Sequence, residues 1–190
     1  MNIFFLHDRP NLAAEMHGDK HVGKMLLESA QMLFTAVRQH GYTGGGYKSA
    51  YENHPMTKWV AQSYSHANWA LEYAIALSAE FIHRYGHAHK TSSMLPALSV
   101  AVHVHMPDNG WRNPPRCMPD EYKVEFDTWD GPHSCHVESY RRYYADAKRH
   151  LHKFSNRPVP QFLRGASLPE TWEFTHDGEH QETVVAIPQG

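Results

Sequence analysis

A carboxylate, an amine and an imidazole are spaced along one side of a single predicted helix, residues 19–39. Glu28 follows Lys24 by four residues and His21 by seven, so at 3.6 residues per turn the three side chains fall within one narrow arc. A carboxylate beside an amine can move protons and support nucleophilic attack by nitrogen. The spacing therefore predicts one edge of an active site, although a solvated Lys–Glu helix pair has the same spacing.

The elements that must position this stripe are predicted to be mainly helical. Apolar residues recur at helical spacing on the other side of 19–39, and a helix start at His54-Pro55 leads into a helical stretch that reaches Tyr85 with a break near 63–65. Residues 106–136 are rich in Pro and Gly, which predicts a long loop of the kind that often borders a binding site. We expect a mainly α, compact single-domain fold with long loops, an extended N-terminal arm at 3–6, further helices at 92–103 and 137–154, a catalytic domain over 1–163 and a C-terminal extension at 164–190.

Composition narrows the class of protein without naming a partner. The chain has 190 residues, is 41% hydrophobic and has no apolar run of the roughly 20 residues that span a bilayer, so no membrane partner is expected. A formal charge of −2 argues against a strongly basic nucleic-acid binder, but 17 histidines ionise near neutral pH and leave the charge open. The two cysteines have no zinc-type spacing, so we expect free thiols, no metal and no cofactor. The oligomeric state is not predicted.

Several basic and aromatic residues are candidates for contact with nucleic acid. In residues 139–154 tyrosines are interleaved with arginines and lysines, an arrangement that suits phosphate contact with base stacking. An amphipathic helix with inward tyrosines has the same pattern, and cations at 84–90 also complement a helix dipole. DNA is the expected partner, and the candidate contacts are Lys20, Arg38, His54, Asn68, Arg84, His89, Lys90, Arg141, Arg142, Tyr144 and Lys148.

Five segments together resemble a widespread group of tailed-bacteriophage proteins over about residues 1–163. The segments are DKHVGKMLLESAQML, NHPMTKWVAQSYSHANW, RYGHAHK, MPDEYK and SYRRYY. More distantly, the N-terminal portion resembles the pyrimidine-dimer DNA glycosylases of the phage endonuclease V type. The matching residues there are His21, Glu28 and the run Ala36-Val37-Arg38, and residues 140–144 loosely correspond to that family's aromatic–basic segment.

The resemblance implies a metal-free, helical DNA glycosylase with abasic-site (AP) lyase activity in the cytoplasm of an infected bacterial host. In that family the N-terminal amine attacks the sugar C1′ to form a Schiff base, while a glutamate supports ring opening and β-elimination. Carried over, Glu28 is the general acid/base and His21 orients it or contacts phosphate. The family removes its initiator Met before a small residue, whereas Asn2 follows Met1 here. The implied nucleophile is therefore the Met1 amine or Lys24.

Two other classes of function stay open at the level of sequence. A metal-dependent nucleotide phosphohydrolase would use some of the histidines, and His7-Asp8 is a two-residue match to such a site. A non-enzymatic phage accessory protein that binds nucleic acid would need only the basic and aromatic residues.

Overall fold

The computed structural model describes residues 1–124 and 134–164, and this part of the chain forms one helical domain. It contains no strand within those residues, so the prediction of a mainly α fold is confirmed. The predicted extension at 164–190 lies outside the described residues except for Arg164. The helices are α1 (Pro10–Glu15), α2 (Asp19–Gln39), α3 (Pro55–Gln62), α4 (Tyr64–Tyr85), α5 (Leu95–His105) and α6 (Cys135–Ala147), with 3-10 turns at Lys90–Met94, Asp120–Tyr122, Arg149–Leu151 and Gln161–Leu163.

Local sequence signals set most of the helix ends. The predicted break falls at Ser63, whose extended backbone separates α3 from α4, and α4 ends at Gly86 with a left-handed φ of 72°. The predicted helix at 137–154 is too long, because α6 ends at Ala147. The chain then doubles back so that the carbonyl of Lys153 accepts the N–H of Asp19 at 2.7 Å, which satisfies a donor at the start of α2.

The extended N-terminal arm, residues 3–6, is part of the hydrophobic core and not a surface segment. All four of its side chains are at most 4% exposed. Phe5 stacks on Trp69 of α4 with ring centroids 4.3 Å apart, while Phe4 lies parallel to Tyr143 of α6 at 5.8 Å. The arm therefore joins α6 to the helices that precede it, and it holds the first residues of the chain at a fixed place.

Helix α2 lies at the centre of the domain, in contact with α3, α4 and α5. It is buried on more than its apolar side, because His21 is 3% exposed and Thr35, which continues the same arc seven residues after Glu28, is 0% exposed. Thr35 is satisfied by donating to the carbonyl of Gln31 and accepting the N–H of Ala50. Between the two, Lys24 is exposed and Glu28 is partly exposed.

Four charged side chains, Asp19, Glu80, Arg84 and Arg157, form an internal ion-pair cluster at the start of α2. Arg84 donates to Asp19 at 3.0 Å and to Glu80 at 2.6 Å, and Arg157 donates to Glu80 at 2.8 Å. Burial would raise the pKa of Asp19, but hydrogen bonds from Ser155 and Arg84 outweigh it and hold that pKa below its usual value. The cluster ties α2, α4 and the chain after α6 to one another.

None of the helices in the described residues combines the length and the apolar character needed to cross a bilayer.

Candidate active site

The first two residues of the chain lie against Glu28. The Met1 nitrogen is 3.8 Å from Oε2 of Glu28, and the backbone N–H of Asn2 donates to the same oxygen at 2.9 Å. On the other side of the carboxylate, Nζ of Lys24 is 3.9 Å from Oε1. One glutamate, with a side chain only 14% exposed, thus has two nitrogens that can carry positive charge within 4 Å. This arrangement can hold an amine in place and pass protons to or from it.

The position of Met1 is fixed by its neighbours as well as by Glu28. Its side chain is 2% exposed, and its sulfur accepts a hydrogen bond from the buried hydroxyl of Thr57 on α3 at 3.8 Å. The Asn2 side chain donates to the carbonyl of Cys117 at 2.9 Å and accepts from the hydroxyl of Tyr140 at 3.3 Å. Side-chain contacts to α2, α3, α6 and the long loop therefore converge on the start of the chain.

His21 packs into an aromatic cluster and makes no hydrogen bond with Glu28. Its Nδ1 is 3.1 Å from the hydroxyl of Tyr144, and its ring lies 5.2 Å from that of Phe4. Burial, followed by the charge of Lys24, lowers the pKa of His21 to about 4. The predicted role in orienting Glu28 has no contact to support it among the described residues, because the arm and α6 take up the face of α2 on which His21 lies.

A shallow, open cavity of about 510 Å³ lies near the start of the chain, and Met1, Asn2 and Glu28 are not among its wall residues. The Asn2 side chain donates to the carbonyl of one wall residue, Cys117, at 2.9 Å, and the charge on the Met1 nitrogen helps to lower the pKa of another, His54. Burial raises the pKa of the Cys117 thiol, so the thiol is not activated as a nucleophile. The cavity is lined by His54, Pro55, Pro115, Arg116, Cys117, Met118, Pro119 and Tyr143.

Three cations, Lys24, Arg116 and Lys148, surround this part of the surface and are called the basic rim below. Lys24 and Lys148 both lie close enough to His21 for their charges to lower its pKa. Nζ of Lys148 sits 5.0 Å from the ring centroid of Tyr143, which lines the cavity together with Arg116. Of the three, Lys24 is the one beside Glu28, with its Nζ 3.9 Å from Oε1.

Arg84 and Tyr144 were predicted as nucleic-acid contacts and have internal roles instead. Arg84 is 6% exposed and is held in the ion-pair cluster, and Tyr144 is fully buried with its hydroxyl accepting the N–H of Gly18. Neither presents a polar atom at the surface to phosphate. The sequence correctly predicted that the cations at 84–90 lie near the end of a helix. It did not reveal that the rest of the chain buries Arg84.

Five other candidates have hydrogen-bond partners within the protein. Arg38 donates to the carbonyls of Gly44 and Tyr47, and Asn68 pairs with Glu72 at 2.8 Å. Arg141 is half-buried and donates to the carbonyl of Leu6, and Arg142 pairs with Glu138 at 2.9 Å. His89 accepts the N–H of Thr91 at the start of a 3-10 turn. Of the remaining candidates Lys20 and Lys90 are exposed, and His54 and Lys148 lie at the site.

Sequence reasoning missed Asn2, Thr57, Arg116 and Tyr143 as parts of the site. Arg116 belongs to the proline-rich loop, which the sequence predicted to border a binding site without indicating which of its residues take part. Thr57 is the third residue of α3, and its spacing carries no signal for contact with Met1. Local periodicity does not report which distant segments meet.

A metal site has no support in the part of the chain that the structure describes. No group of three or more His, Cys, Asp or Glu side chains in residues 1–124 and 134–164 is close enough together to hold an ion. His7 and Asp8 pair with each other.

Comparison of the chain with family models, with curated proteins and with solved structures finds no match.

Proposed function

We propose that this protein is a DNA glycosylase with AP lyase activity, acting on damaged or modified bases through an amine nucleophile and Glu28. The observation that supports the proposal most directly is that a single carboxylate oxygen lies 3.8 Å from the Met1 nitrogen and 2.9 Å from the Asn2 nitrogen. An amine beside a carboxylate is the pair needed to form an imine at a sugar carbon. The resemblance to the endonuclease V type implies the same pair.

The proposed reaction assigns each proton to a group at the site. The neutral amine bonds to C1′ as the bond from C1′ to the base breaks, and the electron pair leaves with the base, which later takes a proton from water. Glu28 removes one proton from the new nitrogen and returns it to the ring oxygen as the sugar opens, which leaves a cationic imine. Glu28 then serves as the base that removes the C2′ proton in β-elimination, in which a C2′–C3′ double bond forms and the bond from C3′ to oxygen breaks, so that the 3′ phosphate leaves with that electron pair.

The Met1 amine is the favoured nucleophile, with Lys24 as the alternative. α-Amines as a class lose their proton at lower pH than lysine amines, so more of an α-amine is neutral at physiological pH. Lys24 is also 60% exposed and reaches Glu28 from the solvent side, whereas Met1 is held by Thr57. If Met1 is removed in the cell, the Asn2 nitrogen becomes the amine and is already within hydrogen-bond distance of Glu28.

DNA is the proposed partner because Lys24 lies 3.9 Å from Glu28 and a second cation, Arg116, lines the nearby cavity. Such cations suit the phosphates on either side of a reacting nucleotide. The resemblance to phage proteins suggests the host cytoplasm as the place of action. A non-enzymatic DNA-binding role would use the same cations but would not need the amine beside Glu28.

The decisive experiment is borohydride trapping on a duplex that contains one abasic site. We expect wild type to form a covalent complex, and peptide mass spectrometry to find the sugar fragment on the N-terminal peptide. Glu28→Gln is expected to lower the β-elimination rate by about 10²–10⁴-fold, the range typical of general acid–base groups. Glu52→Gln, at an exposed glutamate of the loop before α3, is the matched control. Absence of any trapped complex with wild type contradicts the proposal and favours the non-enzymatic class.

A further inference from the structure

His54 carries out two tasks at once, and only one of them is structural. It is the N-cap of α3, with Nδ1 accepting the backbone N–H of Met56 at 3.2 Å. Its ring also forms part of the wall of the cavity near the start of the chain. A serine or an asparagine would cap a helix as well as this histidine does. The capping role alone therefore does not explain why the ring faces this cavity.

The cap fixes which ring nitrogen carries the proton. Nδ1 accepts a hydrogen bond and so has no hydrogen, which leaves the single hydrogen of a neutral imidazole on Nε2. Burial, and then the positive charge of the Met1 nitrogen, lower the pKa of His54, while Glu28 opposes them more weakly. The ring is therefore neutral at physiological pH, with a permanent N–H donor at Nε2.

This donor is not used within the protein. No residue in the described ranges accepts a hydrogen bond from Nε2 of His54, and the nitrogen is open to solvent. The rest of the wall is largely apolar, since three prolines and Met118 contribute to it. An oriented donor next to apolar wall residues can recognise one acceptor atom of a flat ligand.

Arg116 supplies a charge at the same cavity. One of its guanidinium nitrogens donates to the carbonyl of Val124, and a guanidinium has five N–H donors in all. The remaining donors suit a phosphate group, which they can bind through two parallel hydrogen bonds. The cavity thus combines a cation for phosphate with a donor for a heterocycle.

We propose that this cavity binds one nucleotide unit, with Nε2–H of His54 donating to an acceptor atom of the base and Arg116 binding its phosphate. The acceptor is the O2 of a pyrimidine or the N3 of a purine, the position next to the bond that joins base and sugar. This inference rests on the proposed function, because it assigns the nucleotide whose sugar the amine attacks. It makes His54 a base-binding residue, since every natural base has an acceptor at that position.

The test uses thymidine and thymidine 5′-monophosphate as probes, titrated into the full-length protein with 15N-labelled histidine and followed by NMR. We expect the free protein to have its His54 proton on Nε2, and that signal to move on addition of either probe. His54→Ser keeps the cap and removes the donor, so the affinity for both probes should fall about five- to tenfold. Arg116→Ala should lower the affinity for the monophosphate alone, to the value measured for thymidine. His54→Asn, which caps and keeps an N–H, should lie between wild type and His54→Ser.

Three outcomes overturn the inference. These are no binding at 10 mM probe, binding that leaves the His54 signal unmoved, and equal affinity of wild type and His54→Ser for both probes. Trapping on abasic DNA separates this result from the proposed function. If the protein is trapped on DNA but binds no nucleotide, the glycosylase proposal stands and this inference is wrong. If it binds nucleotide but is not trapped, this inference stands and the glycosylase proposal is wrong. The urea midpoint of each variant checks that α3 is still capped.

Discussion

The backbone N–H of Asn2 donates to Oε2 of Glu28 at 2.9 Å, across 26 positions of sequence. This bond places the start of the chain on the one glutamate of α2, which reaches the surface near a cavity. The N-terminal arm behind it is fully packed, so the first residue has little freedom to move away. The position of the terminal amine is therefore a property of the core.

Lengthening the chain at its start should abolish trapping through the α-amine. Each added residue moves the amine by up to about 3.5 Å, so a Gly-Ser dipeptide before Met1 carries it out of reach of Glu28. We expect at least a hundredfold slower borohydride trapping, with an unchanged urea midpoint. The same dipeptide after Gly190 is the control. Trapping at the wild-type rate would instead identify Lys24 as the nucleophile, which Lys24→Ala would then confirm.

Removing the cation at the centre of the ion-pair cluster should be strongly destabilising. Arg84→Ala leaves two buried carboxylates, Asp19 and Glu80, without their shared partner, and breaking such a pair costs about 3–5 kcal/mol. Urea denaturation measures the loss. Arg142→Ala removes a cation from a half-exposed helix pair on α6 and should cost less than about 1 kcal/mol. Equal losses would show that the cluster is no stronger than a surface pair.

Stability should fall as the pH drops below 6.5, because two buried histidines resist protonation. Burial, followed by the charge of His21, lowers the pKa of His17 to about 3, and that of His21 is about 4. Below pH 6.5 the two histidines bind protons in the unfolded chain but not in the folded protein. The free energy of unfolding therefore decreases with falling pH until the pH reaches the pKa values of the folded state. Above pH 6.5 both states are neutral at these sites and the contribution is constant.

His21→Phe should therefore flatten the acid limb of the stability curve. Each such histidine contributes a slope of up to about 1.4 kcal/mol per pH unit. Urea midpoints at pH 7, 6 and 5 measure it. The control variant is His103→Ala, at an exposed histidine of α5. An unchanged slope in His21→Phe would contradict the assignment of a neutral buried ring.

Gly18→Ala should destabilise the fold because there is no room for a side chain. A Cβ at Gly18 would lie 2.1 Å from the carbonyl oxygen of Leu151, a backbone atom that cannot move without displacing the chain that caps α2. Overpacking of this kind costs about 1–3 kcal/mol. At Gly45 a Cβ meets nothing within 4 Å, so Gly45→Ala is the control. Similar thermal midpoints for the two variants would contradict the close approach of Leu151.

Binding to duplex DNA should depend on salt through the basic rim. Each phosphate contact contributes about 0.9 to the slope of log affinity against log salt, so Lys24→Ala, Arg116→Ala and Lys148→Ala should each reduce the slope by about that amount. Fluorescence anisotropy with a labelled duplex measures it. Lys48→Ala, at an exposed lysine before α3, should leave the slope unchanged. Equal effects of all four variants would indicate binding by general charge and not at this rim.

The sequence alone determined the helices and the spacing of the stripe. The break at Ser63 and the stop at Gly86 follow from local propensity and a left-handed glycine, both of which act within a few residues. The pairing of Lys24 with Glu28 follows from helix geometry in the same way.

The tertiary structure decided which members of the stripe belong to the site. His21 and Thr35 face inward because the arm, α6 and the chain before α3 cover them, and no local pattern encodes that cover. The meeting of Met1 with Glu28, and of Arg116 with His54, joins segments far apart in sequence. Such contacts depend on how the whole core closes, so the spacing of residues within one helix cannot report them.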